Sequence, residues 1–290
     1  MQKISKYMMM AALALVGTMM TGCTSDDLAN EAPQTKNDNN TVTLTTTISL
    51  EDGATTRALD AQGNKTFAEG EQVAIFYQNT IGETQYVESD ALTANDILND
   101  GTMAKITVTL DNPKAGGQLR YVYPAYLGNS GIGPIEDITD EYTICDDRIL
   151  GDQDGTLKTL ASNFDLAIYD GNLTEEALLP APAKLKNQLA IVELTIKDDA
   201  GKDITSDITK IEIQQGNGSY DYVLYRPATD TPDDGPIYVA MFPSSGSDEE
   251  DFTITVTTTD GTIYERDFKF TLAANNIYPL SVKTSPKSIS

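Results

Sequence analysis

The stretch Asp152-Gln153-Asp154-Gly155 is the part of this chain whose residue types come nearest to a metal site. Calcium is held by carboxylate and carbonyl oxygens at fixed loop positions. In that register the first ligand position falls on Leu150 and the last on Ala161, and neither side chain offers an oxygen. Asp198-Asp199-Ala200-Gly201 and Asp230–Gly235 have the Asp and Gly content of tight turns. All three stretches are expected to be turns. The rest of the chemistry is limited by what the chain lacks. It has no histidine and two cysteines in 290 residues. That excludes Ser-His or Cys-His catalysis, a His-containing zinc site, and a Cys₄ zinc or iron–sulfur site. Forty-four acidic against twenty basic residues give a net charge of −24, which excludes general nucleic-acid binding. A carboxylate pair of the glycosidase type is compatible with this composition, but no motif singles one out. The expectation is a protein that is not an enzyme and needs no cofactor. Tyr220, Tyr222 and Tyr225 have the aromatic faces that stack on sugar rings, but the favoured reading is that they are ordinary sheet tyrosines.

The two cysteines differ in context. Lys3 and Lys6 precede a 14-residue apolar run, Tyr7–Met20, which is short for a spanning helix and fits a signal-peptide core. Met20-Thr21-Gly22-Cys23 resembles a bacterial lipobox, with Met20 in place of the usual Leu. That resemblance implies cleavage before Cys23 and lipidation of Cys23, so that the lipid and not the peptide is the outer-membrane anchor. Cleavage removes two lysines and no acid, taking the formal charge from −24 to −26. Residues 23–40 are polar and read as a tether, and Ser25-Asp26-Asp27 just after the cysteine either resembles the export signal of some surface lipoproteins or is a solvated linker. Cys145 is then the lone mature thiol, expected as a small core residue beside Ile144.

The elements that must carry these residues are strands. Val42, Leu44, Ile48 and Leu50 share one face of Thr41–Leu50, with threonines opposite. Strand-like runs follow at Gln72–Tyr77, Ala104–Leu110, Leu119–Tyr123 and Phe164–Tyr169, with a helical turn or two expected at Thr174–Leu179. Leu178–Ala183, with two prolines, marks a connection. Seven more runs come after it: Leu189–Lys197, Ile208–Gln214, Ser219–Tyr225, Ile237–Phe242, Phe252–Thr258, Thr262–Leu272 and Ile277–Val282. The pattern predicts an all-β chain of two tandem antiparallel β-sandwich domains, 41–179 and 180–290, behind a signal peptide (1–22) and tether (23–40).

Several landmarks stand in a characteristic order: Thr56-Arg57-Ala58; Phe67-Ala68-Glu69-Gly70-Glu71-Gln72-Val73-Ala74-Ile75; Tyr123-Pro124; Phe164-Asp165-Leu166; Leu185–Leu194; Tyr238–Pro243; and Tyr278–Val282. This series resembles the fimbrillin family, lipoprotein subunits of type V pili. Family members often carry a histidine where this chain has Asn187-Gln188. The resemblance implies transthyretin- or immunoglobulin-like sandwiches, and export to the outer-membrane surface. It further implies proteolysis at the Arg57-Ala58 bond and exchange of strands with other pilus subunits. Cleavage there would detach Cys23 together with Thr41–Leu50, leaving a groove for a neighbour's strand. The resulting fimbrium would serve adhesion to a host or bacterial surface ligand. After Val282 the chain reads Lys-Thr-Ser-Pro-Lys-Ser-Ile-Ser, a poor donor strand, so either Ile277–Val282 is itself donated or, the favoured reading, the chain is a tip or minor subunit. Alternatively, the same build serves as a lipid-anchored glycan- or protein-binding module that never polymerises.

Overall fold

The computed structural model describes residues 35–36, 40–50, 66–131, 143–180, 182–216, 218–226, 235–246 and 248–287. Period-two burial dominates, because β-branched and apolar residues alternate with Thr, Lys and Asp through most of the chain. The first group of elements, in chain order, begins with β1 (Thr35–Lys36), β2 (Thr41–Leu50), β3 (Ala74–Gln78) and β4 (Thr84–Glu88). It continues with β5 (Ile97–Leu98), β6 (Met103–Asp111), β7 (Gln118–Tyr123), α1 (Asp146–Gly151), α2 (Leu157–Asn163), β8 (Ala167–Asn172) and β9 (Ala183–Asn187). They form a nine-stranded sheet in the order β4-β3-β7-β8-β9-β2-β6-β5, with β1 added against β2. The sheet curls so that β2 and β6 on one side, and β3 and β7 on the other, turn their faces to one core. That core holds Leu44, Ile48, Ile106, Leu110, Ile75, Leu119 and Tyr121, all fully buried. Tyr77 ties the two halves together: its hydroxyl accepts from the Asp111 N–H at 2.8 Å and donates to the Asp111 carbonyl at 3.1 Å.

The second group is β10 (Ala190–Lys197), β11 (Ile208–Gln215), β12 (Tyr220–Tyr225), β13 (Ile237–Met241), β14 (Glu250–Thr258), β15 (Ile263–Phe270), β16 (Ile277–Lys283) and β17 (Ser285–Pro286). A three-stranded sheet, β13-β10-β16, encloses an apolar interior with a five-stranded sheet, β12-β11-β14-β15-β17. The architecture is the all-β sandwich fold that the alternation predicts. Two pairings are parallel, β2 with β9 and β10 with β16. Parallel neighbours need a long connection, and here both pairs are far apart in sequence.

Three features were not visible in the alternation. Strand β9 lies beyond Pro180 and Pro182, yet pairs with β8 and β2, so the first sheet draws strands from both sides of the proline-marked stretch. Among the described residues the α-helices fall at α1 and α2, whereas Thr174–Leu179 contains a turn with Ala177 N–H bonded to the Thr174 carbonyl. Phe164 is the C-cap of α2 and not the start of a strand, so β8 begins three residues later than the pattern suggests.

Strands β3 and β7, and the start of β8 at Ala167 and Ile168, are buried on both faces. Ile75, Tyr77, Leu119 and Tyr121 fill the first core, while Phe76, Val122 and Ile168 join a second cluster. That cluster runs past Ile149 of α1 and Leu160 of α2 into the interior of the second sandwich. Gln153, itself buried, fastens this layer: its side-chain amide donates to the Ile149 and Ala240 carbonyls at 2.6 and 2.8 Å and accepts from the Ala240 N–H at 2.8 Å. The Tyr238 N–H donates to the Gly155 carbonyl at 2.9 Å, so the segment after α1 runs along the outer edge of β13. Gly155 has φ +79°, and a Cβ there would lie 2.7 Å from Ile237.

Acidic turns set the pH behaviour. Asp96, Asp203 and Asp260 sit below their ordinary values because each accepts a threonine hydroxyl and then a backbone N–H in a tight turn. A carboxyl depressed on folding contributes stability above its unfolded pKa and loses it as pH falls through the folded one. Without histidine, nothing of that type titrates near neutrality. Urea midpoints are therefore expected to be level between about pH 6 and 8 and to fall below about pH 4. A pronounced change across the neutral range would contradict this.

Candidate functional site: the groove filled by β2

Strand β2 has the sequence TVTLTTTISL, and its burial alternates without a break. Val42, Leu44, Thr46, Ile48 and Leu50 point into the first core at 7, 0, 4, 0 and 8 % exposure. Along one edge β2 pairs antiparallel with β6 from Thr41↔Asp111 to Ser49↔Met103. On the outer face of this pair, Thr43 and Thr109 hydroxyls lie 3.0 Å apart, Thr45 and Thr107 hydroxyls 3.1 Å apart, and Thr41 donates to Asp111 at 2.8 Å. The other edge is shared. Strand β1 pairs at Val42 and Thr43, and β9 pairs at Ile48, Ser49 and Leu50. Between those two contacts the Thr46 hydroxyl donates to the Pro180 carbonyl at 2.8 Å.

The strand is thus held on both sides and from below. Burying each of its four apolar side chains contributes about 1.5–3 kcal/mol, or about 6–12 kcal/mol together. A whole domain is stable by only about 5–15 kcal/mol. Removing β2 without a substitute would leave an apolar groove and two rows of unpaired backbone groups.

Residues 51–65 lie outside the described residues, and with them Arg57 and Ala58; so does Cys23. The chain is firmly anchored again from Phe67 onward. The Phe67 N–H donates to the Gly101 carbonyl at 2.8 Å, and its buried ring meets Tyr123 edge-on at 5.1 Å. Gly70, at φ +87°, donates to the Leu92 carbonyl at 2.8 Å, and Leu92 returns a bond to the Glu71 carbonyl at 2.9 Å. The Glu71 carboxylate accepts from the Tyr123 hydroxyl at 2.5 Å and from the Ala68 N–H at 2.8 Å. The Phe67–Ile75 landmark is therefore a clasp at the start of the remaining sheet.

The other sequence candidates resolve into structural roles. Asp152 accepts from the Tyr126 hydroxyl at 2.7 Å. Burial raises the Asp154 pKa, but bonds from Thr159 and Thr156 outweigh it and hold the carboxyl below its ordinary value. Asp198 caps the turn to Lys202 by accepting its N–H at 2.8 Å. Asp230 lies outside the described residues. Among the described residues no three His, Cys, Asp or Glu side chains converge in a way that could hold a metal. Cys145 is half-buried ahead of α1 and not a core residue, because Ile149 of that helix takes the core position. Tyr222 is fully buried, bonding Gln215 and the Phe242 N–H, while Tyr220 stacks on Phe242 at 4.7 Å. Tyr225 faces the opposite side beneath Lys210, so the three tyrosines make no common platform.

At the C-terminus, β16 is an edge strand that pairs, among the described residues, with β10 alone. Val282 and Thr284 are buried, Tyr278 and Leu280 half-buried, and Ser285 and Pro286 cross to pair with β15. The Thr46–Pro180 bond had no sequence signal, since threonine fills half of β2 and nothing distinguishes the inward one except its parity.

No family model matches the sequence, and no curated protein does. The fold is similar to solved structures at low sequence identity. A fimbrial assembly protein from Parabacteroides distasonis is 13 % identical, with 82 % of this chain and 90 % of that one covered and a TM-score of 0.40. A proposed cell adhesion protein from Bacteroides ovatus is 12 % identical over 85 % of this chain and 95 % of its own, with a TM-score of 0.42. A proposed polysaccharide-binding protein from Bacteroides thetaiotaomicron is 11 % identical over 76 % and 77 %, with a TM-score of 0.35.

The two faces of β2 should respond differently to truncation. Leu44→Ala or Ile48→Ala is expected to destabilise the chain by about 2–5 kcal/mol. Thr45→Ala, on the outer face, should cost no more than about 1 kcal/mol. Chemical denaturation of the three variants reads this directly. Equal losses would mean that β2 is not seated as described.

Proposed function

We propose that this chain is a minor or tip subunit of a cell-surface fibre of the fimbrillin type, assembled by exchange of strands and serving adhesion without catalysis. The observation that carries the reading is the position of β2. It is the first long strand of the fold, seated in the interior of a sheet, and joined to everything after it through one segment, 51–65. Arg57 lies in that segment, between the end of β2 and the clasp at Phe67. One cut at Arg57-Ala58 would therefore separate the strand covalently from a sheet whose remainder stays anchored. The energy lost with β2 is comparable to the stability of a domain, so the cut chain would need a replacement strand. A strand supplied head-to-tail by a neighbour builds an open polymer.

In this reading the chain travels as a lipoprotein on Cys23 to the outer membrane, and processing releases that anchor. The high negative charge keeps exported subunits soluble until strands meet.

N-terminal sequencing of protein shed from cells tests the reading. A mature terminus at Ala58 is expected. A surface protein that keeps a lipidated Cys23 terminus would overturn it in favour of an anchored binding module.

A further inference from the structure

Building on the strand-exchange reading, we infer that the β2 groove selects its occupant through one buried hydroxyl. The donor is then a segment of a different subunit reading apolar-x-apolar-x-Ser/Thr-x-apolar-x-apolar, and not the C-terminal strand of a second copy of this chain.

Thr46 is 4 % exposed, and its inward neighbours Leu44 and Ile48 are both at 0 %. Its hydroxyl reaches the Pro180 carbonyl at 2.8 Å, at the point where β2 passes between the stretches paired with β1 and β9. Side chains on a strand repeat every two residues, so a slide by two would keep the apolar face inward. It would, however, place Leu44 or Ile48 at the Pro180 carbonyl and move the hydroxyl into an apolar pocket. Hydrophobic alternation alone does not fix the register in this groove; the single hydroxyl does. A donor with valine at that position fills the same volume but forfeits the bond, and threonine and valine are not interchangeable there.

The chain's own C-terminus can be laid on the same template. Leu280, Val282 and Thr284 supply the apolar, apolar, hydroxyl order of Val42, Leu44 and Thr46. Thr284 is fully buried in its own site and donates its hydroxyl to the Lys197 carbonyl at 3.1 Å, the same kind of bond. The next two template positions then fail. Pro286 falls where Ile48 stands, and Ile48 is paired on both sides, with Ala104 and Ala183. Proline has no N–H to give to either neighbour. Ser288 falls where Leu50 stands and brings a hydroxyl in place of an apolar side chain. The front half of the groove is satisfied and the back half is not, so a second copy is a poor occupant.

The test uses the full chain with a site-specific protease sequence inserted after Gly53, which makes the outcome independent of whether Arg57 is a natural cleavage site. After cutting, β2 is displaced in mild denaturant by fluorescent synthetic peptides, and affinity is read by anisotropy. The Thr41–Leu50 peptide is expected to bind, and its Thr46→Ser version, which keeps the hydroxyl and loses one buried methyl, to bind within about four-fold of it. The Thr46→Val version is expected to bind about five-fold more weakly or worse. A peptide of residues 277–290 should bind about a hundred-fold more weakly than the parent, having lost two apolar anchors. If the Thr46→Val peptide binds as well as the parent, the hydroxyl is not the selector and the inference fails, although the groove reading stands. If the 277–290 peptide matches the parent, self-exchange is permitted and the inference fails. If the parent does not bind, the groove reading fails and the selection fails with it.

Discussion

The fold depends on the seating of β2 between β6 and β9. That one strand closes the path from β8 and β9 to β6 and β5, so the curled sheet is continuous only while it is present. Its five inward side chains belong to the core shared by both halves of the curl. The same strand is joined to the rest of its sheet along the chain through segment 51–65, which contains Arg57. Structural necessity and covalent detachability therefore meet in one element, and the proposed mechanism rests on that conjunction.

The remainder of the described chain is built to withstand such an exchange. Strands β3 and β7 are buried on both faces, and they and the first two residues of β8 contribute to both hydrophobic clusters. The Arg120 guanidinium pairs with Asp170 directly across β7 and β8, at 2.6 Å from Nε, and also donates to Thr143 at 2.7 Å. Gln153 bonds a helix and a strand of the second sandwich with one amide. None of these contacts involves β2. Local loss of that strand would expose a groove without removing the ties that hold the other strands, which is the physical condition for accepting a substitute.

Much of this was legible from residue order. Thr41–Leu50 is a strand with the bounds the alternation predicts, because its inward positions are apolar at every step but one. Strands β10, β11 and β14 were equally readable from their long apolar alternation. Other elements were hidden for identifiable reasons. Helices α1 and α2 have six and seven residues, too few to show a helical period. Strand β9 is masked by Pro180 and Pro182 ahead of it, and β4 by half-exposed residues on both faces. The roles of Gln153 and Thr46 depend on which backbone group lies opposite, and that is a property of the fold and not of local sequence.

The central claim is that β2 must leave for the protein to assemble. Thr45 and Thr107 lie opposite one another on β2 and β6 with hydroxyls 3.1 Å apart, near enough for a disulfide. The most direct test replaces both with cysteine (Thr45→Cys, Thr107→Cys) in a Cys145→Ser background, cuts the chain at the protease site inserted after Gly53, and follows uptake of the fluorescent Thr41–Leu50 peptide by anisotropy, with and without reductant. The account predicts no uptake while the disulfide holds β2 in its groove and uptake once it is reduced. Uptake by the oxidised, locked chain at the rate of the unlocked one would contradict it.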